Sequence, residues 1–477
     1  MPPVASAVVP VTAAATTSPA KRLTLRERAL FSTGGGLQQF ANTAPQYLAN
    51  PIFNLALGLN PVLIGIVLAI ARLWDALSDP LVGNISDNIR TRWGRRRPFM
   101  IAGALLTGAS FAAMWWLPRG ASDEFYFIWF LATILLFFTG VTLFIVPWNA
   151  LGISLAQDYD ERTRLFAYAG VTHKLVGFLT GWLYPLAQIA VFQDVLQGVR
   201  VVGLVCGIVV TAVCLAAAIL LKEPEGSNAP AARKPEPFLQ AMKVVLGNRV
   251  LLVFSVACLA TMTSLYTVSS LGLYINIYHI FGGDKVAAAT MMGIWGTSFN
   301  ALALLSVPGV MWLSARIGKH QAIMLALAMI FVSALCKWFL YTPTAPYLQL
   351  VTALLHAPGL AAYLVLVNAM TADIVDYDES LNGRRREGLI AAANSWITKM
   401  GVSLSFIFAG LVLNVTGFDA ALVTQAPDTV LGMRLFFCGV PAAGTLLAFL
   451  LLRGYPLSRT RVEEIQATLR RNAAATS

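Results

Sequence analysis

Charged residues are scarce in this sequence. Asp, Glu, Lys and Arg make up only 12% of its 477 residues, whereas 57% are hydrophobic and the mean hydropathy is +0.69. A water-soluble domain of this length needs more polar side chains to cover its surface. The composition therefore excludes a soluble globular protein and predicts a protein that lies in a lipid bilayer.

Cysteine and histidine are rare as well. The five cysteines lie inside apolar runs, and their odd number and spacing predict packing residues, with no disulfide framework and no metal site. The four histidines are scattered, and neither a His-Glu-x-x-His nor a Gly-x-Ser-x-Gly motif occurs. We therefore expect no enzyme activity and no cofactor.

The N-terminal segment lacks the basic start and the apolar core of a signal peptide. It is rich in Ala, Pro, Val and Thr, so we expect residues 1–28 to form a disordered cytoplasmic tail. The first apolar helix is then expected to direct insertion into the membrane.

Twelve apolar segments have the length of about 20 residues that a helix needs to cross a bilayer. They are residues 32–57, 61–88, 98–117, 126–155, 165–190, 199–221, 249–279, 287–315, 320–341, 347–374, 389–416 and 431–452. A polar linker at 222–246, which contains four prolines, separates an N-terminal half (29–221) from a C-terminal half (247–453). The sequence thus predicts an all-α polytopic membrane protein of two six-helix halves, with a cytoplasmic tail at 454–477.

Basic residues are concentrated in the two tails and in every second loop between these segments. Because short cytoplasmic loops are enriched in Lys and Arg, both termini are predicted to be cytoplasmic in a plasma membrane, for which we expect a bacterial inner membrane. The net charge of +11 is spread over these loops without a basic stripe of interleaved aromatics. Nucleic-acid binding is therefore not expected.

Two loop motifs recur six helices apart. The acidic tetrapeptide Asp-Tyr-Asp-Glu follows the fourth segment at 158–161 and the tenth at 376–379. The Gly-Arg-Arg cluster at 94–96 has a weaker echo after the eighth segment, where Arg316, Gly318 and Lys319 stand. Together the two matches favour a duplicated six-plus-six architecture.

Three motifs resemble those of a known family. They are "RLWDALSDP" at 72–80, "GNISDNIRTRWGRRRPF" at 83–99 and "DIVDYDESLNGRRREG" at 373–388, and they are similar to motifs of the glycoside-pentoside-hexuronide:cation symporters in the major facilitator superfamily. The resemblance covers nearly the whole chain. It implies the major facilitator fold with 12 transmembrane helices and symport of a sugar or glycoside with Na⁺ or H⁺ by alternating access.

The second segment carries three charged residues inside an apolar run. Arg72, Asp75 and Asp79 are spaced by three and four residues and so lie on one stripe of a helix. Each costs roughly 2.5 to 3.5 kcal/mol at the membrane centre, which predicts that they face the bundle interior on an ion or substrate pathway. A structural Arg72–Asp75 pair is the alternative, but the second carboxylate then still requires a proton or a cation.

The resemblance implies a cation site formed by Asp75, Ser78 and Asp79 of the second helix and Thr142 of the fourth. Such oxygen ligands suit a hard cation such as Na⁺. Thr142 matches a sodium-using member of the family, whereas Ser78 stands where that member has an asparagine. Both Na⁺ and H⁺ therefore stay open as the coupling ion.

The sugar site of the family transfers less well. Gln39 and Ile145 stand where a melibiose-transporting member has aspartates, so melibiose is not the expected substrate. Side chains that can bind a sugar remain, and the predicted substrate site comprises Gln39, Asn42, Arg72, Asn149, His173, Trp295 and Lys399.

Aromatic residues and one lysine complete this interpretation. Trp148, Tyr274 and Trp295 are candidates for stacking on a sugar ring, with helix packing as the alternative for each. Lys399 lies well inside the eleventh segment and aligns with a lysine that the family keeps near its cation and sugar sites. We expect it to pair with Asp75 or Asp79.

Charged residues at the cytoplasmic helix ends are predicted to form a gate. Its members are Asp87, Arg95, Arg96, Asp158, Arg162, Asp376, Arg384 and Glu387. Salt bridges among them would favour the outward-open state, and breaking them would favour the inward-open state. The alternative is that the arginines only set the topology.

Two rival functions remain on the same fold. Animal relatives of the family move lysophospholipids, and a non-transporting membrane sensor would share the architecture. The sequence does not identify the sugar, and a monomer is the default for this fold.

Overall fold

A computed structural model describes residues 23–89, 91, 93–156, 158–223, 238–383 and 386–476. Within these ranges the regular elements are helices. Those of the N-terminal half are α1 (Leu25–Ala49), α2 (Pro61–Asn88), α3 (Arg97–Met114), α4 (Asp123–Leu155), α5 (Tyr159–Thr180), the short α6 (Leu183–Leu186) and α7 (Val195–Leu220). The others are α8 (Phe238–Gly247), α9 (Arg249–Tyr274), α10 (Lys285–Ile317), α11 (Lys319–Leu340), α12 (Gln349–Asn382), α13 (Glu387–Val415), α14 (Pro427–Arg453) and α15 (Arg459–Thr476).

The twelve predicted segments correspond to α1–α5, α7 and α9–α14. Ten of these helices, all except α1 and α5, are long and apolar enough to span a membrane. Helix α1 falls short because polar side chains such as Gln38, Gln39, Asn42 and Gln46 interrupt it, and α5 begins with a charged turn. The prediction of an all-α, multi-pass membrane protein is confirmed, and the crossings by α1 and α5 stay predictions.

Three helical stretches lie where the sequence predicted tails and a linker. Helix α1 begins at Leu25, because Thr24 and Glu27 form a reciprocal cap at its start. Helix α8 lies in the predicted linker, and α15 lies in the predicted C-terminal tail. Helix α15 packs against α12 and buries Ile465. This contact stabilises the helix.

Helix pairs of the N-terminal half recur six membrane helices later. Helix α3 packs against α4 and α7, as α11 packs against α12 and α14. Helices α1 and α5 pair as α9 and α13 do, and α2 and α4 pair as α10 and α12 do. The halves meet where α2 packs against α13 and where α5 packs against α10. The duplicated architecture is therefore present in three dimensions.

The two repeated loop motifs differ in the structure: the glycine turn has a similar φ in both halves, whereas the acidic tetrapeptide does not occupy the same place. Gly94, between α2 and α3, and Gly318, between α10 and α11, both have positive φ, at 100° and 84°, a conformation that favours glycine. The acidic tetrapeptides differ, because Asp158 caps the start of α5 whereas 376–379 lies inside α12. The expectation that they occupy equivalent places is wrong, since α12 continues until Gly383 ends it at φ 64°.

The two halves are packed tightly at the end of the molecule that is remote from the termini. A Cβ at Gly65 of α2 would lie 2.3 Å from the Phe406 carbonyl oxygen, and one at Gly410 would lie 2.6 Å from that of Pro61. Lys285 also donates to the Leu55 carbonyl from the other half, at 3.3 Å. These contacts close the path between the halves at this end.

The ion pairs at the end that carries both termini have a different arrangement. Arg28 pairs with Glu161, Lys319 with Asp373 and Arg386 with Asp378. Each of these three pairs stays within one half, so none of them joins the two halves.

Candidate functional site

A lysine of one half lies between two carboxylates of the other. Helix α2 presents Asp75 and Asp79 one turn apart, and α13 brings Lys399 to them across the interface. The ammonium nitrogen lies 2.9 Å from Oδ2 of Asp75 and 2.9 Å from Oδ2 of Asp79. The side chains of Asp75 and Lys399 are 14% and 26% exposed, so the ion pairs are only partly solvated. The prediction that Lys399 pairs with these carboxylates is confirmed.

The third charged residue of the α2 stripe has different partners. Arg72 is 8% exposed and donates from Nη1 to Asn42 Oδ1 at 3.0 Å and from Nη2 to the Asn42 carbonyl at 3.1 Å. Its guanidinium also lies 5.0 Å from the ring centroid of Phe138. A direct Arg72–Asp75 pair is therefore wrong for this conformation, because Arg72 donates to Asn42 of α1 and Asp75 pairs with Lys399.

Two hydroxyl groups lie beside these carboxylates in the bundle. Ser78 and Thr142 are 5% and 1% exposed, and their oxygens are 3.1 Å apart. Ser78 directly precedes Asp79 in α2, and Thr142 comes from α4, which packs against α2. The structure thus brings Ser78 and Thr142 together beside the acidic stripe, and their role as cation ligands stays a prediction.

The charges of this centre balance. Arg72 and Lys399 supply two positive charges, and Asp75 and Asp79 supply two negative ones. Asp75 is close enough to attract the charge of Arg72, although no ion pair joins the two side chains. A further cation would leave an uncompensated charge in the bundle interior unless Lys399 moved away from the carboxylates.

Neutral amide side chains meet at the α1–α5–α10 junction. A Cβ at Gly177 of α5 would lie 3.2 Å from Gln39 Nε2 and 3.1 Å from Asn300 Oδ1. Asn300 Nδ2 donates to the carbonyls of Gly177 and Gly296, at 3.4 and 2.9 Å. Asn300 was missed by the sequence interpretation, although a lone amide inside the apolar α10 was the signal that could have found it.

Two of the candidate stacking aromatics are packing residues. Trp148 is 2% exposed, stacks on Phe31 at 4.6 Å and donates from Nε1 to the Phe31 carbonyl. Tyr274 is fully buried and donates to Asn54. Neither ring has a free face for a sugar, so the stacking interpretation is wrong for both.

The remaining predicted substrate residues are dispersed. Asn149 is exposed on α4, and His173 is half-buried on α5. Trp295 of α10 stacks on Phe299 and lies near His356 of α12. The substrate roles of Asn149, His173 and Trp295 stay predictions.

The predicted gate residues have other partners in this conformation. Asp158 caps α5 by accepting from the Asp160 and Glu161 amides, and Arg162 donates to the Ala156 carbonyl. Described ion pairs at this end also use Glu161, Glu223, Asp373 and Asp378, which the sequence interpretation missed. The sequence places several acids in each loop, but only the helix ends determine which of them faces a basic side chain.

The other gate residues are distributed as follows. Arg95 and Arg96 both lie 3.9 Å from Glu223 Oε1, and Asp376 accepts a hydrogen bond from Gln466 of α15. Glu387 is exposed at the start of α13. Arg384 and the side chain of Asp87 lie outside the described residues. A gating role for this group stays a prediction.

The sequence of the whole bundle matches a family model described as MFS/sugar transport protein, over residues 30–459. The chain belongs to this family. The match confirms the resemblance to glycoside-pentoside-hexuronide:cation symporters and the assignment of the major facilitator fold.

Several curated proteins are similar to the chain. A glucuronide carrier protein homolog of Escherichia coli strain K12 is 25% identical, over 86% of this chain and 87% of the relative. The putative glycoside/cation symporter YagG of the same strain is 24% identical, over 95% and 96%. Sodium-dependent lysophosphatidylcholine symporter 1 of Xenopus tropicalis is 23% identical, over 94% and 90%.

Solved structures agree on the fold of the family. A bacterial homolog of the human lysosomal transporter Spinster, in an inward-facing and unoccupied conformation, has a TM-score of 0.68 at 15% identity and covers 91% of this chain and 98% of its own. The nucleoside transporter NupG has a TM-score of 0.64 at 13% identity, with 91% and 100% covered.

Proposed function

We propose that the protein is a secondary active transporter that moves a sugar or glycoside together with a cation, Na⁺ or H⁺. The observation that carries this proposal is the position of Lys399 Nζ, 2.9 Å from a carboxylate oxygen of both Asp75 and Asp79. A cation that binds these carboxylates would displace the ammonium group. Because Lys399 belongs to the opposite half, ion binding would then break the ion pairs that join the two halves here.

Charge balance explains how the ion and the substrate would become coupled. A bound cation is compensated only if Lys399 leaves the carboxylates. The released ammonium group can then donate to a substrate hydroxyl, so that each ligand favours binding of the other. Couplings of this kind typically contribute about 1 to 3 kcal/mol.

The ligand set fits either ion. Ser78 and Thr142 would add hydroxyl oxygens to the two carboxylates, as Na⁺ requires. A proton requires only one carboxylate that becomes neutral. No resident cofactor enters the proposal.

Neutral amides support a sugar as the cargo. Gln39, Asn42 and Asn300 offer donors and acceptors of the kind that sugar hydroxyls pair with. The names of the E. coli relatives, a glucuronide carrier homolog and a putative glycoside/cation symporter, agree with this class.

We propose a monomer in the plasma membrane, with both termini cytoplasmic, and a bacterial inner membrane as its location. The excess of Lys and Arg in the tails and in every second loop supports this orientation. In that orientation the closed end of the bundle faces outward.

The test is uptake into proteoliposomes that contain the full chain. Labelled mono- and disaccharides, glucuronides and lysophosphatidylcholine are supplied under a Na⁺ gradient and, separately, under a pH gradient. We expect one gradient to drive accumulation of a glycoside and Asp75→Asn to abolish it. Accumulation of no sugar, or equal accumulation by Asp75→Asn, would refute the proposal, and lysophosphatidylcholine uptake would identify a lipid carrier instead.

A further inference from the structure

A set of three aromatic rings lies in the C-terminal half, on helices other than those that carry the charged centre. Trp295 and Phe299 of α10 stack with their ring centroids 5.1 Å apart and an interplanar angle of 15°. His356 of α12 lies 6.4 Å from Trp295 and 5.7 Å from Phe299, tilted against both. We call these three residues the aromatic subsite.

Two polar atoms of the aromatic subsite lack partners. Trp295 Nε1 and His356 Nδ1 are buried, and neither has a hydrogen-bond partner among the residues that the structure describes. His356 as a whole is only 8% exposed. Leaving a buried donor or acceptor unpaired costs about 1 to 3 kcal/mol, and most buried polar groups in proteins are paired. Two unpaired atoms on neighbouring rings indicate a site that a ligand completes.

The charge beside the aromatic subsite restricts the ligand. Lys337 of α11 is 5% exposed, and its ammonium nitrogen lies 4.7 Å from the ring centroid of Phe437. It interacts electrostatically with His356, and no carboxylate pairs with it in the described part of the chain. A buried lysine without a carboxylate partner disfavours a cationic ligand such as an amino sugar or a choline headgroup and favours a neutral or acidic ring.

The aromatic subsite and the neutral amides of the α1–α5–α10 junction share helix α10. Phe299 directly precedes Asn300 in α10. The side-chain amides of Asn300 and Gln39 both lie close to the position that a Cβ of Gly177 would occupy. Helix α10 thus connects hydrogen-bonding groups of the N-terminal half to stacked rings of the C-terminal half. A ligand that uses both sets would touch both halves of the carrier.

We propose that Trp295, Phe299 and His356 bind the second ring of a glycoside whose first ring lies near Gln39 and Asn300. The inference rests on the proposed function only in taking a glycoside as the substrate class. The flat faces of the rings pack on the second ring, and the indole N–H donates to one of its oxygens. The aromatic subsite then determines specificity, because a single-ring sugar leaves it unfilled.

The experiment compares one-ring and two-ring probes on the full chain in lipid nanodiscs. The probes are methyl and p-nitrophenyl glycosides of glucose, galactose, xylose and glucuronic acid in both anomers, and their affinities are measured by calorimetric titration. We expect the wild type to bind the best p-nitrophenyl glycoside about tenfold more tightly than its methyl counterpart. Trp295→Ala and His356→Ala should each bring this ratio close to one, because they weaken binding of the p-nitrophenyl glycoside more than binding of the methyl glycoside.

Two further variants separate a binding role from a structural one. Trp295→Phe keeps a stacking ring and removes the N–H, so its ratio should lie between those of the wild type and Trp295→Ala. Trp312→Ala removes a tryptophan of the same helix that is 56% exposed, and it should leave the ratio unchanged.

The outcomes distinguish this inference from the proposed symport. An unchanged ratio in Trp295→Ala and His356→Ala, or an equal loss for both probes, would overturn the aromatic subsite even if a gradient drives uptake. Failure of the wild type to bind any glycoside would overturn it as well. The expected change in ratio without gradient-driven uptake would support the subsite and contradict only the symport.

Discussion

The Tyr274 hydroxyl donates a 2.8 Å hydrogen bond to Asn54 Oδ1 and joins the two halves at their closed end. Asn54 belongs to a π-helical turn that continues α1, and Tyr274 directly precedes the π-helical turn that continues α9. The first long helix of each half therefore ends in the same way, and the two ends contact each other. Tyr274 is fully buried and Asn54 is 2% exposed, so this bond has no competition from water.

Tyr274→Phe is expected to weaken the closed end. The variant removes one buried hydrogen bond and leaves the Asn54 oxygen unpaired, which shifts the equilibrium toward opening by about 1 to 3 kcal/mol. Spin labels at Asp123→Cys and Val423→Cys, one on each half, report the separation at this end when the native cysteines are replaced. A longer-distance population should appear in Tyr274→Phe.

Tyr278→Phe is the matched control for that experiment. Tyr278 lies one turn further along and contacts the same Phe418 ring, but its hydroxyl has no partner within the described chain. Removing this hydroxyl should leave the distance distribution unchanged. Equal shifts in the two variants would mean that the Tyr274–Asn54 bond does not hold the halves together.

Lys399→Gln is expected to strengthen binding of the coupling cation. The variant removes the ammonium group that lies 2.9 Å from both Asp75 and Asp79, so an added Na⁺ no longer competes with it. If Na⁺ is the coupling ion, its apparent affinity should rise about tenfold, equivalent to roughly 1.4 kcal/mol. The measurement is the midpoint of thermal unfolding against NaCl, with choline chloride at equal ionic strength as the control. A weaker Na⁺ response than that of the wild type would contradict competition at this site.

The sequence was most informative where charged residues interrupt apolar runs. Asp75, Asp79 and Lys399 could be assigned to one centre because few other charges lie inside the membrane segments, and the cost of burying them requires partners. The aromatic interpretation of Trp148 failed because helix α4 is apolar on every side, so its pattern does not indicate which face lines a cavity. The use of Asp158 as a helix cap could not be predicted, because only the position of the helix end reveals it.

Asp378→Asn is expected to destabilise the C-terminal half. The Asp378 side chain is 0% exposed and accepts two hydrogen bonds of 2.8 Å from Arg386. Removing its charge takes the carboxylate partner away from Arg386, whose side chain is 31% exposed, and losing a hydrogen bond to a charged group costs about 1.5 to 3 kcal/mol. The midpoint of thermal unfolding in detergent should fall. Glu464→Gln is the control, because the Arg461–Glu464 pair is about 60% exposed on both sides and should contribute little; equal shifts would contradict the prediction.

Gly94→Ala is expected to disturb the turn between α2 and α3 in two ways. At φ 100° a side chain is strained, by roughly 1 to 2 kcal/mol, and the new Cβ would lie 2.6 Å from Glu223 Oε2. Glu223 must then move, and it would lose the 2.9 Å hydrogen bond that it accepts from the Arg95 amide. The unfolding midpoint should fall further than in Gly120→Ala, where φ is 68° and no atom lies within 4 Å of the new Cβ. The same decrease in both variants would mean that backbone strain alone matters and that the contact of Glu223 with this turn contributes nothing.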